Sequence, residues 1–178
     1  MRVIGGEFRS RRLKTLPGQA LRPTPNRLRE SLFSVLAPRI NGCVFLDAYA
    51  GCGAVGIEAL SRGASRAVFI EKHRPAARLI EENLRSLGAD SRALILCGPV
   101  LKHLRRLAAD IVFLDPPYDL DREYEQALRL LAERPQGLVI AQHSARLSLE
   151  DAYGPLRRTR LLKQGDNLLS FFEPASTP

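Results

Sequence analysis

Five short apolar runs, the first four each followed by a stretch with helical spacing, dominate the chain beyond residue 42. The runs are 43–47 (CVFLD), 67–71 (AVFIE), 93–97 (ALILC), 111–115 (IVFLD) and 138–142 (LVIAQ). Helical stretches over about 54–62, 75–87, 99–107 and 121–133 fill the intervals. A strand apolar on both faces needs cover on both faces. A strand–helix–strand rhythm supplies that cover, as a parallel sheet with right-handed crossovers. Two later runs, 156–162 and 167–173, flank Gln164-Gly165-Asp166. That spacing suits an antiparallel hairpin closing the sheet. The expected fold is α/β, a doubly wound and mostly parallel seven-stranded sheet.

The length of 178 residues suits one domain spanning 1–178. Within it, residues 40–178 form the core and 1–39 a basic N-terminal extension. In the extension, Val3-Ile4-Gly5-Gly6 and Arg12-Leu13-Lys14 read as the arms of a small hairpin. Thr24 then reads as an N-cap with Pro25 at the first helical position. Leu28, Leu32, Val35 and Leu36 follow at helical spacing, and Pro38 ends the helix.

Charge is concentrated in that extension. The whole chain carries +8, yet residues 1–39 alone hold nine basic and two acidic side chains. A polyanionic partner docking there is the physical reading. Arg9, Arg11, Arg12, Lys14 and Arg27 are the candidate contacts. Arginine outnumbers lysine 23 to 4, and its planar fork suits phosphate.

Other classes are disfavoured. No apolar run approaches the ~20 residues of a membrane helix, and no signal-peptide core opens the chain. No membrane partner is expected, and a cytoplasmic protein is. Cys43, Cys52 and Cys97 form no CxxC pair, and His73, His103 and His143 lie far apart. No metal site is expected.

The first run leads into Asp47-Ala48-Tyr49-Ala50-Gly51-Cys52-Gly53-Ala54-Val55-Gly56. Gly51, Gly53 and Gly56 match GxGxxG between a strand and a helix. Glu71 ends the next strand 20 residues beyond Gly51, placed to accept from ribose hydroxyls. Glu71 and its neighbour Lys72 join Gly51 and Gly53 as cofactor candidates. The pattern fits any adenosine-containing cofactor, a nicotinamide dinucleotide included. Asp47 tilts the choice, because a carboxylate before the loop would repel a pyrophosphate and attract the cationic amino end of S-adenosylmethionine.

The run 111–114 leads into Asp115-Pro116-Pro117-Tyr118. Ligands of open α/β sheets bind outside the carboxyl ends of strands, near the switch point. An exocyclic amine on a base is a poor nucleophile, since its lone pair is delocalised into the ring. Two acceptors on its hydrogens help that lone pair to localise. The Asp115 carboxylate can be one and the Pro116 carbonyl the other. Pro117 restricts the residue before it, which fixes that carbonyl. Tyr118 offers a face for an extruded base, worth ~1–3 kcal/mol.

Asp115-Pro116-Pro117-Tyr118 resembles the (Asn/Asp/Ser)-Pro-Pro-(Tyr/Phe) signature of amino-group nucleic-acid methyltransferases. Three further stretches, Arg2-Val3-Ile4-Gly5-Gly6, the run from Arg22 to Phe33, and the run from Leu46 to Gly63, narrow the match. Together they closely resemble the RsmD-type family of bacterial 16S rRNA guanine-N2 methyltransferases, over about residues 2–172. The resemblance implies a class I methyltransferase fold and S-adenosylmethionine as donor, with S-adenosylhomocysteine as product. It implies as acceptor the 2-amino group of one guanine of 16S rRNA, guanine 966. The partner would be 16S rRNA or a small-subunit assembly intermediate, met by a monomer. By motif, Asp47, Tyr49, Gly51, Gly53 and Glu71 become cofactor contacts, and Asp115, Pro116 and Tyr118 the amino-group site. Arg22 and Thr24 fall near the cofactor or the entering RNA. Asn26 stands where the family usually has aspartate. Cys97-Gly98-Pro99-Val100 lacks the acidic residue that much of the wider fold uses for adenine, which leaves backbone groups and apolar packing for that task.

Three other readings fit part of the chain. A DNA amino-methyltransferase shares the chemistry, but 178 residues leave no room for a target-recognition domain. A nicotinamide oxidoreductase leaves Asp47 and Asp115-Pro-Pro-Tyr idle. A non-catalytic RNA-binding module explains the charge alone.

Overall fold

The computed structural model describes residues 1–16, 25–117, 121–134 and 137–175. Its strands are β1 (Val44–Asp47), β2 (Arg66–Glu71), β3 (Ala93–Cys97), β4 (Ile111–Leu114), β5 (Leu138–Ser144), β6 (Ala152–Tyr153), β7 (Leu156–Gln164) and β8 (Asn167–Pro174). Its helices are α1 (Asn26–Leu36), α2 (Ala54–Ser61), α3 (Arg74–Leu87), α4 (Val100–Leu104) and α5 (Asp121–Glu133). All eight strands join one sheet in the order β3-β2-β1-β4-β5-β8-β7-β6. The first five pair in parallel, and β6, β7 and β8 pair antiparallel.

The chain order reverses between β1 and β4, the switch point where such sheets bind ligands. The sheet has eight strands where seven were expected. The added strand, β6, is two residues pairing with Arg157 and Leu156. So short a run, ahead of Gly154-Pro155, carries no alternation to read.

Apolar side chains alternate between two faces. Phe45, Ile111, Phe113, Leu138 and Ile140 pack under α1 and α2. Leu46, Val112, Leu114, Val139 and Ala141 pack under α4 and α5. These continuous apolar strands are buried because both faces are covered. Helix α3 shows how sequence places a helix. Pro75 lies in its first turn, Gly88 caps it in the left-handed region (φ 68°), and Ala76, Ile80 and Leu84 face the core.

The N-terminal segment folds against α2 and α3. Arg2 and Arg12 form a single antiparallel bridge, with Leu13 N–H donating to the Met1 carbonyl at 2.9 Å. The expected hairpin is therefore one bridge and a few backbone bonds. Glu58 of α2 fastens it. Its carboxylate accepts the Ile4 and Gly5 amides, each at 2.8 Å, and Arg62 Nε at 2.7 Å. Arg29 Nε lies 3.8 Å from the same carboxylate, and both side chains are fully buried. Arg29 also donates to the Arg2 carbonyl at 2.6 Å and to Asn26 Oδ1 at 3.2 Å. A buried charge is tolerated only when paired and bonded in this way.

Helix α1 starts at Asn26, so Pro25 is the N-cap residue and not the first helical one. The expected cap Thr24 and candidate contact Arg22 lie outside the described residues, as does Tyr118.

Candidate active site

The strand ends at the switch point build the site. Asp47 pairs in register with Phe113 of β4, and the Ala48 amide donates to the Phe113 carbonyl at 3.0 Å. The glycine turn that follows Asp47 and the Asp115-Pro116 pair that follows β4 thus leave adjacent strands at the same end of the sheet. β4 stops at Leu114, so Asp115 begins the loop rather than ending the strand.

The turn is shaped by its glycines, each for its own reason. Gly51 has φ +55°, and a Cβ there would meet nothing within 4 Å. That is an open cradle. Gly53 has φ +81°, with Ile80 of α3 3.2 Å from its would-be Cβ. Gly56 has ordinary helical backbone, but a Cβ would lie 2.3 Å from the Phe69 ring. Its lack of a side chain lets α2 lie close on β2 and has nothing to do with ligand approach.

Two carboxylates hold the turn. Asp47 Oδ2 accepts the Gly56 amide at 2.9 Å. Glu71 Oε2 accepts the Gly51 amide at 2.8 Å, and its Oε1 accepts the His73 amide at 2.8 Å. Asp47 is 2% exposed. Burial pushes its carboxyl up to about 7, the charge of Glu71 adds to the rise, and the Gly56 bond opposes it. A carboxyl poised there is readily ionised by a neighbouring cation. Tyr49 is half-buried. Burial, and then the carboxylate of Glu123 on α5, push its hydroxyl well above the usual range. Lys72 is exposed at the rim. Beyond β3, the Gly98 amide donates to the Glu71 carbonyl at 3.1 Å.

These residues fit S-adenosylmethionine. An open glycine cradle sits between a poised carboxyl and a second carboxylate, where an amino acid cation and a ribose would be received. A pyrophosphate would meet the same two carboxylates with no compensating cation in the turn.

Sequence reasoning missed the support of the second half. Tyr124 of α5 is fully buried, and its hydroxyl lies 2.7 Å from the Gln142 carbonyl and 3.3 Å from the Pro116 carbonyl. The one hydroxyl proton is shared between the two carbonyls, more strongly with Gln142. The Pro116 carbonyl is thereby held in place with a second lone pair left to accept. Nothing local in Asp-Arg-Glu-Tyr marks Tyr124, because its role depends on α5 folding back under β4 and β5.

The candidate RNA contacts are spread out. Lys14 is near the turn, its amide bonded to Asn83 Oδ1, while Asn83 Nδ2 reaches the Cys52 carbonyl. Its ammonium pairs with Glu82 at 2.9 Å. Arg27 lies exposed in the first turn of α1. Arg11 bonds the Ser86 carbonyl near the C-terminal end of α3, and Arg9 and Arg12 are exposed on the same segment. The neighbouring Glu7 and Phe8 amides bond Ser61 at the end of α2. Arg9 and Arg11 therefore sit toward the end of the sheet opposite the glycine turn.

The sheet order, the reversal at β1/β4 and the glycine turn with its two carboxylates define the class I methyltransferase fold. The family described as "Conserved hypothetical protein 95" matches residues 1–173, and the chain belongs to it. This agrees with the RsmD-type resemblance read from the motifs. The chain is 36% identical over 151 residues to "Ribosomal RNA small subunit methyltransferase D" of Haemophilus influenzae, covering 80% of this chain and 78% of the relative. It is 32% identical over 169 residues to "Putative rRNA methyltransferase YlbH" of Bacillus subtilis, covering 90% and 91%. Among solved structures it superposes on "Putative methyltransferase yhhF from Escherichia coli" with TM-score 0.87, 32% identity and 99% of each chain covered.

Proposed function

We propose that this protein transfers a methyl group from S-adenosylmethionine to the 2-amino group of a guanine in 16S rRNA. The observation that carries the reading is the register of β1 on β4. It sets the Asp47–Gly51 cradle one strand away from the Asp115-Pro116 acceptor pair. The family relationship supports methylation of small-subunit rRNA, and the acceptor pair supports an exocyclic amine.

When bound, the cofactor supplies an electrophilic methyl on a sulfonium. The residues of this chain do the rest. Asp47, ionised beside the cofactor's cationic end, and Glu71, facing the ribose, hold the donor. Tyr49 and Lys72 border it. Asp115 and the Pro116 carbonyl accept the two amino hydrogens and turn the nitrogen lone pair toward the methyl. Tyr118 stacks on the extruded base. Catalysis here is alignment and preorganised electrostatics. Arg9, Arg11, Arg12, Lys14, Arg22, Thr24 and Arg27 contact RNA and set affinity more than sequence choice. The target base must be unpaired or extruded, which RNA loops allow at low cost. We read the enzyme as a cytoplasmic monomer of one domain that acts on free 16S rRNA or on an assembling small subunit.

The test is methyl transfer by the purified protein to hypomodified 16S rRNA, followed by digestion and mass spectrometry. N2-methylguanosine supports the reading. N6-methyladenosine or methylated DNA would replace it.

A further inference from the structure

Strand β7 reads Leu156-Arg157-Arg158-Thr159-Arg160-Leu161-Leu162-Lys163-Gln164, with four cations and no acid. It borders the sheet on the side away from the glycine turn. β6 covers only Leu156 and Arg157, so the outer backbone edge beyond Arg158 has no strand partner among the described residues. Two nearby carboxylates are already taken. Asp151 pairs with Arg158, and Glu173 pairs with Arg39 at 3.2 Å. Arg157, Arg160 and Lys163 are exposed. Leu161 between them is 51% exposed, the one large hydrophobic so exposed among the described residues.

The topology carries this edge back to the active end. Lys163 pairs with Leu168, and Leu168 with His143 at the C-terminal end of β5. Two strand spacings separate β7 from β5, and a third reaches β4. Lys163 thus lies roughly 14 Å across the sheet from β4, the strand that leads into Asp115. A cavity of about 420 Å³ fills part of that interval, lined by Asp121, Ser144, Arg146, Asp166 and Asn167 among others. Its two carboxylates make it unsuited to phosphate. Its polar atoms suit sugar hydroxyls or base edges.

We propose that β7 is a second RNA-docking edge. Arg157 and Arg160 on one face of the strand and Lys163 on the other straddle the edge and hold phosphates from both sides, and Leu161, on the same face as Lys163, lies under a sugar or base of the strand flanking the target. From Arg157 to Lys163 the strand advances roughly 20 Å, enough for several nucleotides. This rests on the proposed RNA substrate and adds a surface that the basic N-terminal segment does not contain. With Lys14 near the glycine turn on the other flank, the RNA would be gripped on both sides of the reacting strand ends.

A competing account is that the cations and the irregularity at Arg158/Arg160 only protect an open edge from strand pairing. Protection needs a single charge, whereas three here lack a carboxylate partner among the described residues. The experiment compares R157Q/R160Q/K163Q with a charge-matched control, R78Q/R85Q/R106Q, at exposed positions on α3 and in the turn after α4. Binding to a 16S rRNA transcript is measured across a salt series, with S-adenosylmethionine affinity measured beside it. The β7 variant is expected to bind RNA at least 10-fold more weakly at low salt. Its log–log salt slope should be shallower by about 2, from three phosphate contacts at about 0.7 each. Its cofactor affinity should be unchanged. A slope equal to that of the control overturns the proposal, and so does self-association with unaltered RNA binding. Failure of the unsubstituted protein to bind RNA at all would sink the substrate reading and this edge with it, while a shared loss in both variants would sink the edge alone.

Discussion

The Ala48 amide and the Phe113 carbonyl meet at 3.0 Å, one bond past the last ladder pair of β1 and β4. That bond fixes the spacing between the glycine turn and the Asp115-Pro116 pair. In the proposed reaction neither works without the other at that separation, since methyl transfer demands reacting atoms within contact and in line.

Asp115→Ala removes one of the two acceptors and leaves the glycine turn untouched. We expect kcat to fall at least 100-fold, while the dissociation constant for S-adenosylmethionine stays within about 3-fold, by single-turnover kinetics and calorimetry. A drop in kcat costs about 1.4 kcal/mol of transition-state stabilisation per tenfold. Activity near the unsubstituted level would remove Asp115 from the mechanism.

Asp47 gives a pH signature. Its carboxyl is held up at about 7 chiefly by burial. A cation bound beside it favours the ionised form, so binding releases a proton when pH is below about 7. Affinity for S-adenosylmethionine should therefore rise with pH up to about 7 and level off above it. The stability sign is the reverse. A carboxyl raised in the folded state stabilises the fold at low pH, and that contribution is lost as pH climbs through about 7. Asp47→Asn should bind the cofactor more weakly, flatten the pH dependence between 5 and 8, and melt higher than the unsubstituted protein at pH 8. Calorimetry and thermal melts at several pH values check all three.

The two glycines flanking the turn should fail differently. Gly56→Ala drives a methyl against the Phe69 ring. It is expected to cost roughly 1–3 kcal/mol of stability, as overpacking does. Gly51→Ala meets open space and costs only about 1–2 kcal/mol of left-handed backbone strain. Its methyl enters the cofactor cradle, so cofactor affinity should drop at least 10-fold. Chemical denaturation paired with cofactor titration separates the two.

Tyr124→Phe deletes the hydroxyl that ties the β4 and β5 ends and keeps the ring. Leaving the Gln142 carbonyl short of a donor should cost about 1–2 kcal/mol. We expect kcat to fall about 3- to 10-fold with KM for RNA nearly unchanged, because Tyr124 positions Pro116 and does not touch substrate. Equal stability and kcat in both proteins would remove the tie.

Much of this was legible in the residues. The apolar runs marked five parallel strands to within two residues. β3 matched over 93–97, and β5 ran on only to Ser144. The glycine turn, Asp47 and Glu71 were visible because strand, turn and helix are contiguous in sequence. The tail hairpin was visible because Gln164-Gly165-Asp166 separates two strand candidates. Long-range relationships were not. Glu58 looks like a surface residue of α2 until the N-terminal segment folds over it. Tyr124 looks like a core aromatic until α5 reaches two carbonyls. The β7 cations drew no notice because Asp151, Glu173 and other acids balance them in the net count. Their exposure depends on which partners the fold takes away. The N-terminal charge was legible as a sum. Its distribution, with Lys14 near the turn and Arg9 and Arg11 toward the far end, came only from the bonds to Asn83, Ser86 and Ser61.

The most direct test incubates the protein with methyl-labelled S-adenosylmethionine and 16S rRNA, free or as assembling subunits, from cells lacking the gene, then identifies the labelled nucleoside. The account predicts label in N2-methylguanosine at a single position, lost with Asp115→Ala. Label on another base, or none with a protein that binds S-adenosylmethionine and this RNA, would contradict it.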